Sequence, residues 1–233
     1  VRTLTKTINI KGDVVNDETA AFYSFFDIPS ISPSQVSNIL NDDNDDVTVD
    51  IASDGGDVFA ASEIYTLLKK YSGKVTVNIE GLAASAASVI AMAGDQINIS
   101  PTAQIMIHKA WGTIDGNSDD FAHQATVLSG IDESIAAAYE AKTGMKQTDL
   151  LHLMSQETWL TAQEAVDKGF ADEIMFVDQK APQVVNSISH IPSKKAVNKL
   201  FNLISQVNYQ ENQSQPSDDL KNRKLAILLG KKE

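Results

Sequence analysis

The chain has 233 residues, is 42% hydrophobic, contains no cysteine and carries a formal net charge of −12 at pH 7. That length suffices for one sizeable core plus an appendage, and the lack of cysteine excludes disulfides, thiolate metal sites and thiol redox control. The charge is split, +4 on residues 183–233 and −16 on residues 1–182, and an acidic body argues against nucleic acid as a general ligand because phosphate binding needs local positive charge.

In chain order, "SPSQVSNIL" reads as a helix start, with Ser32 as N-cap and Pro33 in the first helical position. "VTVDI" (47–51) and "VTVNI" (75–79) alternate β-branched with other residues and read as strands. Between them, Val58, Ala61, Ile64, Tyr65 and Leu68 fall at helical spacing, so this stretch is expected to be a βαβ unit with a right-handed crossover. "INI" (97–99) and "QIMIH" (104–108) are two further short strands around the turn "SPTA". A long helix is expected from about Ser118 to Lys142, with Gly144 as its left-handed stop. It exceeds the average helix of about 11–12 residues, so it is expected to project from the body and meet another subunit. A short helix in "QTDLLHLMSQE", a Thr161-capped helix, a stop at Gly169 and a final strand complete an α/β layered pattern.

From Pro182 the composition turns to Gln, Asn, Ser and Pro, the mark of linkers or disorder. The expected division is therefore a folded domain over 1–182 and a polar, basic extension over 183–233, partly disordered or weakly helical in two apolar patches, "AVNKLFNLISQV" and "LKNRKLAILLG". The longest apolar run, Leu82 to Ala93, falls short of the roughly 20 residues a membrane span needs. No secretory leader pattern is present in the sequence, so the expected setting is the cytoplasm, with no membrane partner.

The chemistry centres on "IEGLAASAASVIAMAGD", residues 79–95. Ser85 follows a strand and a glycine and opens a helix, the placement of a hydrolase nucleophile; the small neighbours Ala83, Ala84, Ala86 and Ala87 let a substrate backbone approach. The other reading of this stretch is a Gly/Ala helix packed tightly in the core. At 51–58, "IASDGGDV", Gly55 and Gly56 follow a neighbouring strand and are able to turn backbone N–H groups toward a common point, as an oxyanion hole requires; the plainer reading is a turn with Asp54 as helix cap. Of four histidines, His123 lies among Asp119 and Asp120 on a polar helix face, His152 at a packing edge in "LLHLM", and His190 in the polar tail. His108 ends a strand of the region that presents Ser85 and is best placed to take a serine proton. Glu157 is a possible orienting acid, though by itself an ordinary surface glutamate. No His and carboxylate cluster has ligand spacing, so no metal or cofactor is expected.

In order, "SDGG", "GLAAS", "IMIH", the long helix ending "AKTG" and "ETWLTAQEAVDKGFADEI" resemble the motif series of the ClpP family of serine peptidases over residues 8–176. The resemblance implies a ClpP/crotonase-like fold of layered βαβ repeats with a projecting handle helix. It implies Ser85 as nucleophile, His108 as general base, Glu157 as orienting acid, and Gly56 and Ala86 as oxyanion-hole donors. It also implies peptide or protein substrates and a homo-oligomeric ring. Three departures stand out: Glu157 where Asp is usual, Asp54 before the glycine pair where Pro is usual, which puts a charge near the cleft, and the extension after Pro182. With the Glu-Thr-Trp form of the acid motif and the N-terminal "INIKGDVVND", the extension looks more like the ClpP-related head maturation proteases of tailed bacteriophages. That likeness implies cleavage of scaffold and capsid proteins inside a prohead without an ATPase partner. The alternatives are a housekeeping ClpP-like degradative subunit working with an ATPase, a noncatalytic assembly protein on the same scaffold, and a crotonase-type acyl thioester binder.

Overall fold

The structure, a computed structural model, describes residues 6–40 and 45–177. The expected extension over 183–233, its boundary at residue 182 and His190 lie outside the described residues. Strands β1 (Lys6–Val14), β3 (Val47–Gly56), β4 (Val75–Ala84) and β5 (Gln96–Ile99) form a parallel sheet in the order β1-β3-β4-β5. β2 (Ser30–Ile31) and β8 (Glu173–Ile174) extend its two edges, again in parallel.

One sheet face carries the core. Val47, Val49 and Ile51 of β3 and Val75, Val77 and Ile79 of β4 are buried, as the alternation of the two strands predicts. The opposite face carries a polar row in register: Asn78 donates to Asp50 Oδ1 (2.9 Å) and Asn98 donates to Asn78 Oδ1 (2.9 Å). Helix α1 (Asp17–Phe25) follows β1, and helices α2 (Pro33–Leu40), α3 (Val58–Lys70), α4 (Ala86–Ala91) and α6 (Gln147–Ser155) supply buried residues to the core, among them Val36, Ile64, Ile90 and Leu150. On α3, Ala61, Ile64 and Leu68 are buried, with Val58 and Tyr65 at the margin of the expected stripe. Its cap is Asp57, which accepts from the N–H groups of Phe59 (2.8 Å) and Ala60 (3.1 Å); Asp54, weighed above as the cap, lies three residues too early and is exposed.

The feature that builds the site is a fork in β4. Ile51 pairs with Ile79, but the next matched pair is Ser53 with Ala83, so β4 gains two residues around Gly81. Extra residues on one strand bend it. The first half of β4 therefore pairs with β5, and its end, Leu82 to Ala84, pairs with β6 (Gln104–Ile107). The far side of β6 pairs antiparallel with β7 (Thr158–Thr161).

Helix α5 (Ser118–Thr143) is the expected long helix, and Gly144 ends it at φ 70°. Its buried residues, Asp132, Ile135, Ala136 and Tyr139, all lie in the second half, whereas Phe121 and Val127 in the first half are exposed. The short helix α7 (Ala162–Asp167) begins at a Thr161 capping box, with Glu164 bonded back to Thr161, and Gly169 (φ 80°) follows it.

The buried Ser53 hydroxyl ties β1 to the glycine turn: it donates to the Gly12 carbonyl (2.6 Å) and accepts from the Gly55 N–H (3.1 Å). Replacing Ser53 with Ala strands the buried Gly55 N–H and the half-buried Gly12 carbonyl, and a loss of about 1–3 kcal/mol is expected, read as a lowered denaturation midpoint; an unchanged midpoint would show that this link is idle.

Candidate active site

Two parallel strand ends bring the reactive pair together. Ala84 pairs with Met106, so the residues that leave β4 and β6 emerge side by side. Ser85 Oγ lies 2.7 Å from His108 Nε2. With the ring proton on Nδ1, Nε2 accepts from the serine hydroxyl, the geometry of an activated nucleophile.

Ser85 adopts φ 52° and ψ −123°, a left-handed conformation that costs a residue with a side chain on the order of 1–3 kcal/mol. Its N–H donates to the Met106 carbonyl (2.9 Å), and its own carbonyl accepts from the Ser88 N–H (3.0 Å) and the Ser88 hydroxyl (2.6 Å). Gly55 makes room for this elbow: at φ +101°, a β-carbon there would come within 2.6 Å of the Ala84 carbonyl oxygen and 2.9 Å of Ser85 Cβ. Gly56, at φ +145°, and Ala86 line the same cleft as Ser85 and His108. The cleft holds about 200 Å³ and is walled by Val58, Val89, Ala110, Trp111, Ile135 and Tyr139. Ser88 is wholly buried, so the close-packing reading of the Gly/Ala run holds for this second serine and fails for Ser85.

The sheet places Glu157 beside His108, and its carboxylate bonds to another partner. Ile107 pairs with Thr158, so the next step of the antiparallel register sets Glu157 opposite His108. Its exposed carboxylate accepts from the Trp159 indole N–H (3.3 Å), and its φ is 48°. Among the described residues no carboxylate bonds to His108. The charge expected near the cleft from Asp54 comes instead from Asp57, which lines it; Asp54 lines a separate depression with Asp13 and Gly81. His123 is exposed, as expected, and His152 is exposed rather than at a packing edge. Among the described residues no group of His and carboxylates is arranged to hold a metal ion.

Two residues, Asp132 and Tyr139, went unread in the sequence. Asp132, buried on α5, accepts from the Ala110 N–H (2.8 Å) and lies 3.5 Å from Lys109 Nζ, so it holds the segment that leaves His108. Ser88 and Tyr139 lie behind Ser85, with their hydroxyls 2.8 Å apart. The spacing of Asp132, Ile135, Ala136 and Tyr139, one helical stripe, was the available signal.

A strained serine at a strand-to-helix turn, bonded to a strand-end histidine beside a glycine pair, defines an α/β protein equipped for serine-nucleophile chemistry. Comparison with known proteins agrees with that class. The family described as Clp protease matches residues 34–178. An ATP-dependent Clp protease proteolytic subunit of Bacteroides fragilis is 29% identical over 136 residues, 58% of this chain and 66% of the relative. The corresponding subunit of Deinococcus radiodurans is 29% identical, covering 52% of this chain and 60% of the relative. Subunit 1 of Chlamydia abortus is 32% identical, covering 54% and 68%. The match therefore spans about three fifths to two thirds of the length of these curated relatives. A solved ClpP1 mutant from Listeria monocytogenes superposes with a TM-score of 0.60 at 26% identity, covering 73% of this chain and 91% of the other. The chain belongs to the Clp protease family.

Asp132→Ala is expected to leave the Ala110 N–H unpaired, lowering stability by about 1–3 kcal/mol and slowing labelling of Ser85 by a fluorophosphonate. A labelling rate equal to that of the unaltered protein would mean that Asp132 does not hold the His108 arm.

Proposed function

We propose that the protein is a serine endopeptidase, and the observation that carries this reading is the 2.7 Å contact between Ser85 Oγ and His108 Nε2 at a strained elbow. In the proposed reaction Ser85 Oγ attacks a peptide carbonyl as His108 Nε2 takes its proton. The oxyanion accepts from the N–H groups of Gly56 and Ala86. His108 then protonates the leaving amine, an ester to Ser85 remains, and water activated by His108 releases the acid. Glu157, opposite His108 in the continued register, is proposed to exchange the Trp159 indole for the imidazole Nδ1–H when substrate closes the cleft. The apolar walls of the cleft favour an apolar substrate side chain.

The exposed first half of α5, with Phe121 and Val127, supports a homo-oligomeric ring in which these handles meet. The finer reading is processing of scaffold and capsid proteins during phage prohead assembly, in the host cytoplasm and inside the prohead. Its support is the Glu-Thr-Trp acid motif, the N-terminal "INIKGDVVND" and the basic extension on an acidic body. The second reading, an ATPase-dependent degradative subunit, is favoured by the names of the relatives. A Clp ATPase with ATP separates the two: cleavage of cognate scaffold protein without it supports processing, and degradation of unfolded protein only with it supports the degradative role.

The peptidase reading itself is tested by a fluorophosphonate probe. Labelling is expected at Ser85 and abolished in Ser85→Ala, with peptide hydrolysis by His108→Ala reduced on the order of 10⁴-fold or more. Glu157→Gln is expected to lower kcat at least about 10²-fold. No labelling in a folded, assembled protein, together with acyl thioester binding, would overturn the reading in favour of a crotonase-type role.

A further inference from the structure

Behind the nucleophile lies a buried chain of hydroxyls. Ser88 Oγ donates to the Ser85 carbonyl (2.6 Å) and lies 2.8 Å from the Tyr139 hydroxyl. Ser88 has one hydroxyl proton, and that proton is on the Ser85 carbonyl, so Tyr139 is the donor in the second bond. The order is therefore Tyr139 O–H to Ser88 Oγ, and Ser88 O–H to Ser85 C=O. Both side chains are buried, with Ser88 0% and Tyr139 1% exposed. Burial raises the phenol's pKa well above its usual value, which keeps Tyr139 a donor.

The carbonyl that receives this chain belongs to the same peptide unit as the Ala86 N–H. In a planar trans peptide the C=O and N–H point in opposite directions. The Ser85 carbonyl also accepts from the N–H groups of Ser88 (3.0 Å) and Val89 (3.4 Å), the Ser88 hydroxyl being its shortest partner, and fixing it toward Ser88 aims the Ala86 N–H the other way; Ala86 lines the cleft that holds Ser85 and His108. A hydrogen bond accepted by an amide carbonyl also polarises the N–H of that amide, making it a stronger donor.

We infer that Tyr139 and Ser88 form a relay that strengthens the Ala86 N–H as an oxyanion donor and adds to the backbone bonds that orient it. They are positioning residues that act through the Ser85–Ala86 peptide. Its catalytic consequence rests on the peptidase reading, and the relay itself on the 2.6 Å and 2.8 Å contacts of Ser88. The relay also starts on α5, whose Asp132 holds the arm leaving His108. One buried stripe of that helix therefore supports both partners of the reactive pair.

The test uses Tyr139→Phe, Ser88→Ala and the double variant in the intact full-length protein. Tyr139→Phe keeps the ring that packs against Phe170, at 5.5 Å between centroids, and removes only the hydroxyl. Loss of a whole oxyanion donor costs about 10²–10³ in kcat, so a misaimed or weakened one is expected to cost roughly tenfold. KM is expected to stay within about twofold, because the relay acts on the transition state. The double variant is expected to be no slower than Ser88→Ala, since both changes cut one chain. Equal kcat in all proteins, or a loss confined to KM, would overturn the inference.

A second measurement does not depend on activity. Ser85–Ala86 is the only Ser–Ala step in the sequence, so carbonyl-¹³C serine with ¹⁵N alanine isolates one amide signal by NMR. That signal is expected to move upfield in the proton dimension in Tyr139→Phe. An unmoved signal would overturn the relay, whereas a moved signal in a protein that fails to label at Ser85 would support the relay and count against the peptidase reading alone.

Discussion

Ser85 sits at φ 52° and ψ −123°, and the rest of the site exists to hold it there. The conformation turns its hydroxyl out of the strand and toward His108, at a cost of about 1–3 kcal/mol that the surroundings must offset. The Met106 carbonyl takes its N–H, the Ser88 hydroxyl takes its carbonyl, and Gly55 lacks the β-carbon that would collide with the elbow. The same peptide that closes the elbow carries the Ala86 N–H. The proposed nucleophile and the proposed oxyanion donor are in this way set by a single backbone constraint.

That constraint is delivered by topology. The two residues that β4 gains around Gly81 swing its end from β5 to β6, and only then does Ser85 emerge beside the strand that ends at His108. β7 on the far side of β6 carries Glu157 to the opposite register position. Helix α5 divides its labour: its second half is buried and carries Asp132 and Tyr139 behind the Ser85–His108 pair, and its first half is exposed, the surface proposed to meet other copies.

Much of this was legible in the residues. Val47 to Ile51 and Val75 to Ile79 announce themselves by alternation, Gly144 and Gly169 stop helices where left-handed backbone is needed, and the order of Ser85 and His108 after successive strands places them together. What escaped depends on contacts far apart in sequence. Ser88 and Tyr139 are 51 residues apart, and nothing local to either shows that they meet. Asp132 resembles the other acidic residues of α5 until its burial is known. Asp54 and Asp57 are both plausible caps by composition, and the backbone path after Gly56 decides for Asp57. Glu157 was placed by motif, but its side-chain partner, Trp159, is chosen by local packing that spacing does not encode.

The most direct test is a crystal structure of the protein inactivated by a peptidyl chloromethyl ketone with an apolar terminal side chain. The account predicts covalent bonds to both Ser85 Oγ and His108 Nε2, with the former carbonyl oxygen about 2.7–3.1 Å from the N–H groups of Gly56 and Ala86. An inhibitor bonded to neither residue, or an oxygen lying away from both N–H groups, would contradict it.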